Sequence, residues 1–244
     1  MTTTSASPAD ALSGSPVLSD PEPTLVWDLP VRVFHGMMVG CFALAWLTAE
    51  SERWRLLHVS LGYGLLALIV FRLLWGVIGT RHARFSSFVR GPSAVRHYLG
   101  SLIGPKPEHH IGHNPAGGWA ILAMLGLGAL VAATGWAGYQ DLAGEWLTEV
   151  HEGAATAMLA VAMLHVAGVM LSSWLHRENL VKAMFTGRKA CARSEGIGSS
   201  RRWMGLLLAA GVIAVILGSW SGQASPDAGS PPVAEKRTSG DDDD

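Results

Sequence analysis

Charge is scarce in this chain of 244 residues: 15% are Asp, Glu, Lys or Arg, against about a quarter in a typical soluble domain. The charges also nearly cancel, at a formal net charge of −1, so the basic surplus that nucleic-acid binding draws on is missing. Cysteine is almost absent. Cys41 and Cys191 lie far apart, one in an apolar run and one in a basic segment, and form neither a CxxC pair nor a CxxCH motif. Neither a disulfide framework nor covalently attached haem is indicated. What is abundant is apolar: 49% of residues are hydrophobic, 10 of them Trp, and they cluster into runs long enough to cross a bilayer. A purely soluble enzyme is excluded, and the chain reads as a membrane protein.

Five segments carry those runs: Val33–Ala49, Leu56–Ile78, Gly117–Tyr139, Val150–Leu175 and Trp203–Trp220. Each has about the 17–25 residues a spanning helix needs. No alternating strand pattern competes, and only helices satisfy their own backbone groups within lipid. The expected fold class is all-α: an integral membrane four-helix bundle plus a fifth, C-terminal transmembrane helix. Residues 1–26 are rich in Ser, Thr, Pro, Ala and Asp without a basic n-region, and read as a disordered tail. A four-helix domain is expected over 27–190, a basic linker over 191–202, the fifth helix over 203–220 and an acidic disordered tail over 221–244. Trp46, Trp54, Trp75, Trp119, Trp136, Trp146, Trp174, Trp203 and Trp220 sit near segment ends, as in an interfacial aromatic belt.

Basic residues set the orientation. The connection 80–116 carries Arg81, Arg84, Arg90, Arg96 and Lys106 against Glu108 alone. The connection after the fourth segment carries Arg177, Lys182, Arg188, Lys189, Arg193, Arg201 and Arg202 against Glu178 and Glu195. The turn before the fourth segment has Asp141, Glu145 and Glu149 and no basic residue. The positive-inside rule then places the N-terminus and both basic loops in the cytoplasm of a bacterial inner membrane, and the C-terminus in the periplasm.

Ten histidines are present. His82, His97, His109, His110, His113 and His176 fall in or beside cytoplasmic loops and read as solvated or interfacial. His35, His58, His151 and His165 lie within or at the ends of spanning segments, where ionisable groups are costly and usually functional. His151 and His165 are 14 residues apart; four helical turns take about 14.4, so both project from nearly one face, about 21 Å apart along the axis. That is too far for one metal ion and suits two stacked sites. The topology puts His58 and His151 at the outer depth, and His35 and His165 at the cytoplasmic depth. Each couple offers two neutral imidazoles across a bundle, a bis-His arrangement for non-covalent haem. Zinc would want three or four converging ligands. A proton relay would usually add intramembrane Asp or Glu, which these cores lack. Histidines serving only as interhelical hydrogen-bonding groups remain the other reading.

Two arginines stand near these positions. Arg72 lies 14 residues after His58, on the same face but at the depth of His35 and His165, where it could pair with a haem propionate or snorkel to the interface. Arg32, three residues before His35, is a similar cofactor-binding candidate. Gly62 follows His58 by four residues and Gly168 follows His165 by three, with Gly40 and Gly64 nearby. These small residues suit either a flat macrocycle or close helix packing.

With those residues placed, the sequence resembles the bacterial cytochrome b561 family, and within it the b-type cytochrome subunits of nickel–iron hydrogenases. The carriers are WDLPVRVFHG (Trp27–Gly36), LLHVSLGYGLL with FRLLWG (Leu56–Gly76), RFSSF and GHNPAGG (Arg84–Phe88, Gly112–Gly118), and HEGAATAMLAVAMLHVAG (His151–Gly168). The resemblance implies a four-helix core binding two haems b, with His35, His58, His151 and His165 as axial ligands. It also implies an inner-membrane electron carrier between quinone and a partner redox protein. A periplasmic c-type cytochrome and a hydrogenase-like enzyme are the candidate partners; no nucleic acid is expected. Two further expectations compete: a quinone-linked oxidoreductase with quinone near the loop of His109, His110 and His113, and a haem-free transporter or scaffold using its histidines structurally.

Overall fold

The computed structural model describes residues 22–142 and 144–223. The expected N-terminal tail up to residue 21, Ala143 and the acidic tail from residue 224 lie outside the described residues. The five spans appear as α1 (Leu29–Thr48), α2 (Arg55–Ile78), α5 (Pro115–Tyr139), α6 (Trp146–Leu175) and α8 (Arg202–Gln223). Short helices α3 (Phe85–Phe88) and α4 (Pro92–Ser101) interrupt the connection from α2 to α5, and α7 (Leu180–Thr186) follows α6.

The helix starts are written in the sequence. Asp28 is the N-cap of α1, its Oδ1 accepting from the Val31 N–H at 2.9 Å, with Pro30 in the first turn. Asn114 caps α5, its Oδ1 accepting from the Gly117 N–H at 2.7 Å, with Pro115 leading the helix. Both obey the rule that a short polar side chain satisfies an orphan amide while proline, lacking one, follows it. At the C-terminal end of the small helix α7, Gly187 takes φ +79°. A Cβ there would also stand 2.7 Å from the Trp27 carbonyl, so glycine both ends the helix and lets the two segments touch.

Helices α1 and α2 form one hairpin and α5 and α6 another, joined where α2 packs on α5. No extended backbone packing joins α6 to α1 or α2, so a groove runs between the hairpins. The fifth spanning helix is no appendage. It lies along both α1 and α2, and its Leu208 and Val212 share a buried cluster with Cys41, Leu61, Leu65, Leu68, Ile69 and Leu125. Between apolar surfaces in lipid, such packing relies on close van der Waals fit. Gly64 supplies it: a Cβ there would lie 2.8 Å from the Ile216 side chain.

Two sequence expectations change. Residues 22–25, placed in the tail, form strand β1 (Glu22–Leu25), which pairs antiparallel with β2 (Arg188–Cys191), Glu22 opposite Cys191 and Leu25 opposite Arg188. This clasp ties the approach to α1 to the segment after α7. Trp75, assigned to the aromatic belt, is instead buried, its indole N–H donating to Asp28 Oδ2 at 3.0 Å. Among the other belt residues, Trp46, Trp54, Trp119, Trp136, Trp146, Trp174, Trp203 and Trp220 are exposed on the protein surface, as interfacial rings require.

Candidate functional site

At one end of the groove, the rings of His58 (α2) and His151 (α6) face each other with centroids 6.1 Å apart. Each ring is held from behind. His58 Nδ1 lies 2.9 Å from the Ala45 carbonyl of α1, and His151 Nδ1 lies 3.0 Å from the Val131 carbonyl of α5. A carbonyl oxygen can only accept, so each Nδ1 carries the proton and each Nε2 is left with a free lone pair. Thr134 Oγ1 stands a further 3.3 Å from His151 Nδ1. Gly135 makes room for the ring, because a Cβ there would lie 2.8 Å from His151 Cε1. Neither Thr134 nor Gly135 was singled out from the sequence; a small residue in α5 facing a histidine on α6 is the signal that could have found them.

At the other end, His35 (α1) and His165 (α6) are half-buried and close enough for their charges to interact. His58 thus meets His151 in the fold, and His35 lies within electrostatic reach of His165. Arg72 is buried, 3% exposed. Its guanidinium does not snorkel outward; it faces the rings of Phe85, Phe88 and Phe34 at 4.8, 5.8 and 6.0 Å, and its Nη1 is buried without a hydrogen-bond partner among the described residues. Arg32 is engaged differently. Its Nε donates to the Met184 carbonyl at 3.3 Å and its Nη2 to the Phe185 carbonyl, so it closes the end of α7 and is spoken for as a structural cap.

The basic connections are less solvated than composition suggested. His82 is buried and its Nε2 donates to the Glu195 carbonyl at 2.8 Å. His113 lies between Trp27 and Phe88, with ring centroids at 4.6 and 4.7 Å, and its Nδ1 is buried without a partner among the described residues. Burial, then the positive charge of Arg72, push this imidazole down to about 3, so it is neutral at physiological pH. Glu178 gathers His109 and Lys189 at 3.2 and 3.0 Å, and Lys189 also donates to the carbonyls of His110 and Ile111, pinning the loop before α5. His97, by contrast, is exposed and pairs with Glu108 at 2.6 Å.

Asp28, inside the opening WDLP, was read from the sequence only as part of a motif. It is wholly buried, and beyond capping α1 it accepts from Trp75 and from the Thr80 hydroxyl at 2.8 Å. One carboxylate thus locks the start of α1 to the end of α2.

A family model described as prokaryotic cytochrome b561 matches residues 26–187, a stretch containing both histidine couples and both hairpins. The chain belongs to the prokaryotic cytochrome b561 family. Among curated proteins, the chain is 25% identical over 143 residues to the probable Ni/Fe-hydrogenase 1 B-type cytochrome subunit of Escherichia coli (strain K12), covering 48% of this chain and 60% of that protein. It is 23% identical over 209 residues to the probable Ni/Fe-hydrogenase B-type cytochrome subunit of Rhizobium leguminosarum bv. viciae, covering 67% of this chain and 87% of that one. The chain thus spans 60% of the length of the first of these relatives. No solved structure gives a significant match. Membership makes the protein a multi-pass membrane b-type cytochrome.

The residues present fit a b-type haem. Two metal–imidazole bonds of about 2 Å, plus about 1 Å from each nitrogen to its ring centre, bring two axial rings to about 6 Å, which is the spacing of His58 and His151. Carbonyl partners on Nδ1 are the usual outer support of a metal-bound histidine. Gly40, Gly62 and Gly168 serve no close helix contact, since a Cβ at any of them would meet nothing within 4 Å; of the four glycines noted near the histidines, only Gly64 is needed for packing. No group of three or more His, Cys, Asp or Glu able to hold a metal ion occurs among the described residues.

Proposed function

We propose that this cytochrome carries electrons across a bacterial inner membrane between the quinone pool and a periplasmic redox protein, using two haems b held by His58–His151 and His35–His165. The observation that carries the reading is the outer couple: two imidazoles on different helices, facing each other at 6.1 Å, each with Nδ1 donating to a backbone carbonyl. That hydrogen bond fixes the tautomer, orients the ring and leaves Nε2 as the ligating atom. A haem held between two such imidazoles would supply reversible one-electron chemistry and would leave no site for oxygen.

The remaining residues bind and exclude. Arg72 brings a buried positive charge to the cytoplasmic end. Gly135 admits the His151 ring, and exposed apolar side chains such as Leu74, Ile78 and Leu164 present the bundle to lipid. The N-terminus and the basic loops face the cytoplasm, by the positive-inside rule. Quinone binds toward the cytoplasmic end, near the loop of His109 and His110 that Lys189 and Glu178 hold in place. On the outer side, Asp141, Glu145 and Glu149 are exposed and suit a basic partner surface. The names of the relatives favour a hydrogenase-like enzyme as that partner over a c-type cytochrome.

The test is a reduced-minus-oxidised visible spectrum with a pyridine haemochrome assay on the purified full chain. Low-spin bis-His signals and about two haems per chain are expected, one for each histidine couple. A colourless preparation from haem-replete cells would overturn the reading and leave a haem-free scaffold.

A further inference from the structure

Two buried polar atoms near the cytoplasmic histidine couple have no hydrogen-bond partner among the described residues: Arg72 Nη1 and His113 Nδ1. They come from distant parts of the chain, α2 and the loop before α5, yet both side chains lie against Phe88, at 5.8 Å from the Arg72 guanidinium carbon and 4.7 Å from the His113 ring. Each is held in place. Arg72 is walled by Phe34 and Phe85 as well. His113 is fixed by the Trp27 ring and by its neighbour Asn114, whose capping of α5 sets the backbone. Both are within electrostatic reach of each other, and His113 is within reach of His35 and His165.

Asp28 lies within electrostatic reach of the guanidinium, but its oxygens already accept from Val31, Trp75 and Thr80. Arg72 Nη1 therefore still wants an acceptor, as does the His113 nitrogen against the same Phe88 ring. A carboxylate, with two acceptor oxygens, satisfies both at once. We propose that Arg72 and His113 together clamp one propionate carboxylate of the haem held by His35 and His165, the guanidinium through Nη1 and the imidazole through an Nδ1–H donor. A neutral imidazole can be that donor. The inference rests on the two-haem reading above and adds to it a residue from the loop, His113, as part of the cofactor site. It also gives the GHN stretch before α5 a function distinct from helix capping, which Asn114 alone performs.

The test is spectroelectrochemical titration of the purified holoprotein with His113→Phe, which keeps a ring between Trp27 and Phe88 but removes the donor, and His113→Gln, which keeps a donor. Redox-difference infrared spectra of the carboxylate region supply a second readout. The two haem components are assigned beforehand with variants of His151 and His165. Losing a hydrogen bond leaves more negative charge on the propionate and favours the oxidised iron. His113→Phe is therefore expected to shift the reduction equilibrium of the cytoplasmic component about tenfold toward oxidised, or ~59 mV for one electron. The outer component should stay in place, the carboxylate bands should move, and His113→Gln should recover most of the shift in potential while its different donor still displaces the carboxylate bands. If His113→Phe does not accumulate, the Gln variant decides alone: carboxylate bands displaced from wild type support the clamp, and unchanged bands overturn it. Unshifted components and bands in both variants, with altered affinity for a quinone analogue instead, would overturn the clamp and give the loop to quinone. Wild-type protein without haem would bring down the proposed function itself, a separate outcome.

Discussion

The two ends of the groove solve the same problem by different means. At the proposed outer end, His58 and His151 are fixed by helices alone: each Nδ1 finds a carbonyl on the neighbouring helix of its own hairpin, Ala45 for His58 and Val131 for His151. At the proposed cytoplasmic end, a cap is built from separate pieces, namely Trp27 and Asp28 before α1, Phe85 and Phe88 in α3, and His113 before α5, with His113 within electrostatic reach of His35 and His165. A site made by hairpins is specified by contacts close in the bundle. A site made with a cap depends on long-range closure, of which the β1–β2 clasp is the most distant in sequence. The outer couple should therefore be the more self-sufficient of the two.

The largest effect that could break this comparison is removal of a histidine. His58→Ala or His151→Ala is expected to lower haem content from about two to about one per chain and delete the same spectral component, because each ring is useless to iron without the other. His35→Ala or His165→Ala should delete the other component. Loss of the same component from His58→Ala and His165→Ala would refute the pairing by depth, measured in each case by pyridine haemochrome and redox titration.

Next in size is Asp28→Ala. It removes an N-cap and leaves the Trp75 indole N–H and the Thr80 hydroxyl without their acceptor. A cost of about 3 kcal/mol is expected from the cap and the stranded donors together, read as a lowered thermal midpoint in detergent. Asp28→Asn keeps an acceptor oxygen and should lose less. Because Asp28 is part of the cap at the proposed cytoplasmic end, its loss should perturb that haem component first and leave the outer one in place. Equal perturbation of both would mean that the ends are not separable.

Much of this architecture was legible in the sequence because lipid imposes simple rules. Length and hydropathy located all five spans to within a few residues at their ends, and helical periodicity with alternating topology singled out His58 and His151 as a couple, which the fold brings together. What escaped was whatever depended on the cap. Trp75 and a belt tryptophan look alike in a linear reading, and only the fold brings the Asp28 carboxylate to its indole. His82 and His113 lie in basic, polar connections, so composition assigned them to solvent; their burial comes from rings contributed by Trp27 and α3. Residues 22–25 read as tail because four residues with a proline carry no strand signal until β2 is beside them. Arg32 and Arg72 both neighbour histidines in sequence, yet one caps α7 and the other points into the bundle, a distinction no spacing rule contains. The fifth helix was legible as a span but not as a member of the core, since an apolar helix looks the same whether it faces lipid or Leu61.

Gly135 sharpens the comparison from the outer side. A Cβ at this position would be 2.8 Å from His151 Cε1, whereas at Gly126, about two and a half turns earlier on the same helix, it would meet nothing within 4 Å. Gly135→Ala must push the ring off the Val131 carbonyl or shift α6, at a cost of about 1–3 kcal/mol, with a displaced outer haem component or partial loss of it. Gly126→Ala should be neutral or stabilise the helix by up to about 1 kcal/mol. The pair is read by haem content and thermal midpoint side by side; a harmless Gly135→Ala would mean that the His151 ring has freedom the outer site is argued to lack.

The smallest effect expected is that of Thr134→Val. The Thr134 hydroxyl stands 2.7 Å from the Leu130 carbonyl, 3.2 Å from the Val131 carbonyl and 3.3 Å from His151 Nδ1. It has one proton, and the shortest contact, to Leu130, takes it. The hydroxyl oxygen is then a secondary acceptor for the Nδ1–H whose main partner is the Val131 carbonyl at 3.0 Å. Removing it leaves that main bond intact and replaces the hydroxyl with a methyl of nearly the same volume. The change in stability should stay below about 1 kcal/mol, with the outer haem retained. Its potential should rise slightly, since a less strongly hydrogen-bonded Nδ1 makes the ligating nitrogen a weaker donor to the oxidised iron. The cytoplasmic component serves as the internal reference, and movement of that component instead would show that the histidine couples have been assigned to the wrong ends.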